Sequence, residues 1–362
     1  MRFLFVILAM FAAPIAAQAQ DYRVETLARG LENPWAVAFL PNGDALITER
    51  PGRLRLYTNG ALRAEPVVGL PQVYASGQGG LLDVALAPDF ATTGEIYLTM
   101  AAQTEGGALT RLVRARYADG RLNNVATLLD ATPAGSGGRH FGSRLAFGTD
   151  GFLYLTTGDR GNDPRAQRTD DLAGKVLRLA RDGKPAPGNP FLDRNGYRPE
   201  IFSYGHRNPQ GLAFDGATLW SVEHGPQGGD EINIVKPGLN YGWPVVTHGR
   251  QYGSGTQIGE GTSKPGMEDP VHIWGPTSPA TSGLAIYRGD AFPAWRGDLL
   301  VGMLREGAIR RVTIRDGRVT GEQKLAEGAA GRIRDVRVGP DGYVYFVSDS
   351  RDGVLARLVP AR

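Results

Sequence analysis

Not one of the chain's 362 residues is a cysteine. Disulfides, thiolate nucleophiles and cysteine metal sites are therefore excluded, and the fold must hold through core burial or bound metal. A surplus of one charge is also lacking: the formal net charge of +3 comes without a dense basic block, so nucleic acid is not an expected partner. Long amphipathic helical stretches are absent, and no apolar run approaches the roughly 20 residues that span a bilayer. The phosphate-cradling Gly-Lys-Ser/Thr loop, the dinucleotide fingerprint and the Gly-x-Ser-x-Gly elbow are missing too. Nicotinamide cofactors and serine hydrolysis lose ground accordingly.

What the chain does have begins with "MRFLFVILAMFAAPIAAQAQ": basic Arg2, a short apolar run from Phe3 to about Ala13, and small residues Ala17 and Ala19 in an A-x-A arrangement. This reads as a secretory signal over residues 1–19, with residues 20–362 forming a single exported domain, periplasmic or secreted. Glycine is plentiful at 51 residues, about twice its usual share, and implies many tight turns.

One pattern recurs along the chain: an apolar alternating strand, an Asn-Gly or Asp-Gly turn, a second strand, and a third with Arg-Leu alternation. It is visible in "WAVAFLPNGDALITERPGRLRLYT", "SRLAFGTDGFLYLTTGDRG" and "IRDVRVGPDGYVYFVSDSRDG". Phe39, Leu86, Phe147, Phe214, Ile286 and Val338 mark six equivalent points, 47 to 72 residues apart. Two-residue alternation closed by such turns makes hairpins, and six units near or above blade length predict an all-β, six-bladed β-propeller. A β-sandwich would not explain six related units. The segment Tyr22 to Ala28 is expected to join the last blade and close the ring. Excess length at 158–175, 183–200 and 225–279 is expected as long loops over one mouth of the central channel, which places the site there.

Of five histidines, His140, His206 and His224 flank core strands. His140, in Gly-rich "GGRHFGSRLAF", is a candidate general base or else a turn histidine bonding a nearby carbonyl. Asp159, ending a strand in "LYLTTGDRGND", could orient that base, accept a substrate hydroxyl, or form an Asx-turn. In "EHGPQGGDEINIVKPGLNYGWP", Gly225 and Pro226 offer carbonyls while Asp230, Glu231 and Tyr241 add oxygens. That donor set suits Ca²⁺ but would also describe a solvated acidic turn. Arg207, Arg305, Arg332 and Arg334 recur near strand ends, and the alternation in "RIRD" points Arg332 and Arg334 the same way, toward a ligand with several carboxylates. "RLRL" at Arg53 to Leu56 reads as solvated outer strand.

Taken in order, "GQGGLLDVALAPDF", "RHFGSRLAF", "TTGDRG", "GKVLRL", "GHRNPQGLAF", "EHGPQGGDEIN", "NYGWP" and "RIRDV" resemble the soluble PQQ-dependent sugar dehydrogenases, in particular their shorter aldose-dehydrogenase branch. The resemblance runs over nearly all of the chain after the signal. It implies oxidation of an aldose at its anomeric carbon to the lactone, with pyrroloquinoline quinone (PQQ) and Ca²⁺ as cofactors and electrons passed to an external acceptor. It also implies a monomer or homodimer. By the same resemblance His140 is the base, Asp159 its acidic partner, and Gln78 lines the sugar site. Arg207 and Asn208 contact the quinone, with Tyr252, Arg305, Arg332 and Arg334 around the cofactor. Gly225 and Pro226 hold the cofactor's Ca²⁺, and Glu231 and Tyr241 belong to a separate structural calcium site. Arg305 departs from a frequent lysine, and His224 from a glutamine of the glucose-oxidising branch, so glucose preference does not carry over. Two other readings compete: an exported, non-enzymatic propeller that binds carbohydrate or protein, and a Ca²⁺-dependent lactonase, which needs acidic and Asn ligands converging on the channel.

Overall fold

In a computed structural model, the structure describes residues 21–361, and the proposed signal lies outside them. Strands rather than helices organise the chain because apolar residues alternate. In Arg53–Thr58, Leu54 and Leu56 are buried while the residues between them are more exposed. Paired positive-φ residues at Asn59–Gly60, Asp119–Gly120 and Asp316–Gly317 close hairpins in the twist-matched turn that such dipeptides favour.

Six four-stranded antiparallel sheets result. Their inner strands are Pro34–Phe39, Leu81–Leu86, Leu145–Phe147, Pro209–Asp215, Thr281–Ile286 and Ile333–Val338. Each lies against the inner strands of the two neighbouring sheets, so the six close a ring around a channel. The six equivalent points lie at or next to the lower ends of these strands, and four of them, Phe39, Leu86, Phe147 and Val338, line an apolar cavity of about 440 Å³ at the lower mouth. The last sheet is completed from the other end of the chain: Tyr22–Leu31 pairs antiparallel with Gly353–Pro360. Ring closure thus rests on a long ladder in which the start of the chain supplies the outermost strand of the last blade.

Below the upper mouth the channel is plugged by ions. Arg144 is buried, with Asp335 Oδ1 at 3.0 Å and Asp83 Oδ1 at 3.4 Å. Arg337 reaches the same two carboxylates at 2.9 and 3.1 Å. The Val37 N–H donates to the same Asp335 oxygen that Arg337 bonds, and the Leu145 N–H to the Asp83 oxygen that neither arginine takes. Four charges from three blades neutralise one another here, which a buried ionic group requires.

Two of the three long segments reach the upper mouth. Residues 158–174 follow a second strand there, and 236–271 leave the lower end of the fourth blade and climb beside Tyr204 to pair Arg250 with Gln227. The segment 183–200 does not reach it, contrary to expectation. Asn189 bonds the carbonyls of Arg178 and Pro199, and Phe191 stacks on Tyr197, so this segment finishes the outside of the third blade. Nor is "RLRL" simply solvated: Arg53 and Arg55 both pair with the buried carboxylate of Glu49. No helix among the described residues is long and apolar enough to cross a membrane.

Candidate active site

The second strand of a blade runs upward, and in four blades it ends in an acid: Glu49, Asp159, Glu223 and Asp349. Each turns back onto the approach to its own blade's inner strand. Glu49 accepts from the Glu32 N–H, Asp159 meets His140, Glu223 meets His206, and Asp349 meets Arg332 and Arg334. This recurring latch gathers the polar groups of the upper mouth.

The His140 latch is the one that presents an imidazole to the cavity, which the Asp349 latch also borders. Its Nδ1 lies 2.7 Å from Asp159 Oδ1, and Asp159 Oδ2 accepts from Trp243 Nε1 at 2.8 Å. The Gly161 N–H donates to Asp159 at 2.6 Å, and the His140 N–H donates to Gln78 Oε1 at 2.8 Å. His140 is held at φ 55°, a left-handed conformation that costs a non-glycine residue roughly 1–2 kcal/mol. A side chain at Gly158 would strike the His140 carbonyl, so glycine is required for this close approach. With Nδ1 engaged by a carboxylate, Nε2 is left for a substrate.

Electrostatics favour the neutral imidazole. Burial lowers the His140 pKa, partly opposed by Asp159 and reinforced by the Arg207 charge. Burial, the largest single influence, would raise Asp159, but the His140 bond and charge, the Gly161 N–H and the Arg207 charge together hold the carboxyl below its usual value. The pair is thus set as a base and an anionic orienting group.

Around the same pocket stand Gln78, Arg207, Asn208, Tyr252, Arg332 and Arg334. Arg207 donates to the Gly225 carbonyl at 2.9 Å and lies 5.2 Å from the Trp243 ring centre. Asn208 accepts from the Gly142 N–H at 3.1 Å. Arg332 and Arg334 reach one oxygen of Asp349, at 3.3 and 2.7 Å, and Arg334 continues to Gln210 Oε1 at 2.8 Å. Arg305 lines an adjoining cavity of about 530 Å³ with Pro226 and Tyr252, and its guanidinium has no partner among the described residues. Tyr252 is largely exposed over both spaces.

Gly225, Glu231 and Tyr241 border one small cavity of about 20 Å³, apart from Pro226. Burial and the neighbouring Glu223 push the Glu231 carboxyl well up, and Asn233 Oδ1 nearby is buried without a donor. The Tyr241 hydroxyl is committed, donating to Ile234 O and accepting from the Lys236 N–H, so only its carbonyl remains as a ligand. Asp230 is committed too, accepting from the N–H groups of Gly225 and Thr281. His206 is fully buried, held by Glu223 and Ser203 and stacked on Tyr241.

Sequence reasoning passed over Trp243, Arg50, Gln210 and Asp349. Trp243 comes from the 236–271 excursion, 84 residues from Asp159, and has no local signature as its partner. Asp349 did carry a signal, since it ends its second strand as Asp159 does.

A carboxylate-held histidine facing an arginine-rich pocket, at the mouth of a six-bladed propeller, belongs to an oxidoreductase. The chain is a member of the glucose/sorbosone dehydrogenase family, which it matches over residues 31–357. It is 42% identical to an aldose sugar dehydrogenase of Escherichia coli strain K12, covering 97% of this chain and 95% of that protein. A crystal structure of a glucose dehydrogenase superposes with a TM-score of 0.91 at 48% identity, over 94% of this chain and all of that one. The PQQ-bound aldose sugar dehydrogenase of Streptomyces coelicolor superposes with a TM-score of 0.77 at 31% identity, over the same shares.

Proposed function

We propose that this chain oxidises an aldose at its anomeric carbon to the lactone, with PQQ as hydride acceptor, Ca²⁺ beside it, and an external molecule taking the electrons onward. The observation that carries the reading is the 2.7 Å His140–Asp159 pair opening onto a pocket of arginines. The pocket's donors fit the cofactor. Arg50, Arg207 and Arg334 line it, and each leaves a buried Nε without a partner, an excess suited to an anion with several carboxylates. The Gly225 and Pro226 carbonyls suit the cofactor's Ca²⁺, and Glu231 with the Tyr241 carbonyl suits a second.

When bound, PQQ and Ca²⁺ supply an electrophilic, metal-polarised carbonyl as hydride acceptor. The chain's own work is proton handling and orientation. His140 Nε2 takes the proton of the anomeric hydroxyl, Asp159 stabilises the resulting imidazolium, and Gln78 fixes the backbone that carries the base. Arg207 faces the position where negative charge grows, a role in which one preorganised donor is worth about 3 kcal/mol. Export to the periplasm or beyond, and action as a monomer or homodimer, belong to the same proposal.

The lactonase reading gains nothing here. The channel carboxylates Asp83 and Asp335 are tied to arginines, and no group of three or more His, Asp or Glu is arranged for a metal among the described residues. A binding propeller would account for a His–carboxylate latch as packing but not for an imidazole turned to a pocket of arginines. The test is reconstitution: apoprotein given PQQ and Ca²⁺ should reduce an artificial dye on addition of an aldose. Failure both to bind PQQ and to reduce dye refutes the reading.

A further inference from the structure

Beside the base lies a second space that the reaction at C1 does not use. A groove of about 1080 Å³ runs between the connection carrying residues 133–139 and the loop 160–171. It exceeds the roughly 300–1,000 Å³ that encloses a drug-sized ligand, so it can take more than one sugar ring. Its walls join the reaction centre through the chain: Arg139 precedes His140, and Arg160 follows Asp159.

The groove is built to hold guanidiniums. A side chain at Gly161 would collide with Arg139 Nε, and one at Gly135 would lie 3.0 Å from Arg165 Nη1 and 3.3 Å from Arg160 Cβ. Arg160 is held at φ 63°, with its Nη groups bonded to the carbonyls of Arg139 and Gly137 and its plane over Phe141. It is 5% exposed, has no carboxylate partner among the described residues, and leaves a buried Nε unbonded. Burial brings it down to about 10, so it remains a cation at neutral pH. Arg139 is exposed and has no acidic partner among the described residues. Neither of the groove's acids forms an ion pair with these two: Asp171 is held by Arg165 at 2.7 Å, and Asp163, which feels the Arg139 charge without contacting it, stands near Asp159 and His140, where a sugar hydroxyl would pass.

Resting on the dehydrogenase reading, we infer that the groove is a subsite for acidic sugars. An oligosaccharide would present its reducing sugar to His140 and a terminal uronate to Arg139 and Arg160. The test compares cellobiose with the glucuronate-ended disaccharide of the same linkage, using PQQ- and Ca²⁺-loaded enzyme and dye reduction. The acidic sugar should show kcat/KM about tenfold higher, the scale of one charge-assisted contact at a partly exposed site. Arg139→Gln should bring that ratio close to one while cellobiose turnover persists. Equal kcat/KM for the two sugars, or a preference unchanged in both Arg139→Gln and Arg160→Gln, overturns the inference. Calorimetric titration of the cofactor-free protein with both disaccharides separates the two layers of argument. Preferential binding of the acid without any turnover would keep the subsite and refute the dehydrogenase reading. Turnover of glucose and cellobiose with no preference for the acid would do the reverse.

Discussion

His140 Nδ1 and Asp159 Oδ1 stand 2.7 Å apart, and one blade on His206 and Glu223 repeat the same contact at 2.9 Å. The two pairs occupy equivalent places in the repeat, yet only His140 presents its imidazole to the arginine-lined pocket. His206 spends its second nitrogen on Ser203 and its face on Tyr241, whereas His140 keeps Nε2 free beside the pocket. One structural latch therefore serves packing in one blade and chemistry in the next.

Replacing the base should separate chemistry from binding. His140→Ala is expected to lose about 10²–10⁴-fold in kcat, the usual contribution of a positioned base, with PQQ affinity little changed. His206→Ala should instead lower the melting temperature, since it empties a buried, doubly bonded position. Stopped-flow reduction with glucose and a PQQ titration followed by absorbance check both. Loss of PQQ binding in His140→Ala would make that histidine structural.

The titration of His140 has a definite sign. Burial and Arg207 disfavour the imidazolium more than Asp159 favours it, so in cofactor-free protein the midpoint should fall below the ordinary value of about 6.5. Asp159→Asn removes the opposing charge and should lower it further. Because the unfolded chain takes up this proton first, acidification through that window also costs stability. Histidine-resolved NMR titration reads the midpoint directly, and a value above 6.5 in the parent protein would contradict this electrostatic account.

The propeller was readable because its signals are local. Alternation in "LRLYT" and paired Asn-Gly or Asp-Gly turns act within a hairpin, so six copies and even the closing strand at Tyr22 could be placed without tertiary information. His140, Asp159, Arg332 and Arg334 were accessible through ordered motifs and strand phase. Trp243 and Gln210 were not, because their roles come from contacts between blades, whereas Asp349 carried the strand-end signal that it shares with Asp159. The misplacement of 183–200 has a similar cause. Gly, Pro, Asn and Asp mark a loop but do not say which end of the blade it leaves, and this one departs from the lower end of a third strand.

The ionic plug yields a stability prediction. Arg144→Met leaves the Asp83 and Asp335 carboxylates sharing Arg337 alone in a buried site, where burial already pushes Asp83 upward. Breaking a buried pair from one side costs about 3–5 kcal/mol, and urea denaturation of the cofactor-free protein should show a loss of that size. Adding Asp83→Asn should recover part of it. A loss under about 1 kcal/mol would mean that the quartet contributes little beyond filling space.

Trp243 offers the finest test of how the base is tuned. Its indole N–H donates to Asp159 Oδ2 at 2.8 Å, on the oxygen opposite the one that meets His140. Trp243→Phe keeps most of the ring beside Arg207 and removes only that donor. Asp159 then bears more of its negative charge toward His140, which favours the imidazolium. The acid limb of kcat against pH should move to higher pH, with a fall in kcat at pH 6 larger than at pH 8. A purely structural role would lower the melting temperature or cofactor affinity and leave the limb where it was. The excursion 236–271 is thereby assigned more than coverage of the mouth, because it carries the donor that completes the base's hydrogen-bond chain. An unmoved limb with unchanged kcat would remove Trp243 from that chain and leave the tuning of His140 to burial, Asp159 and Arg207.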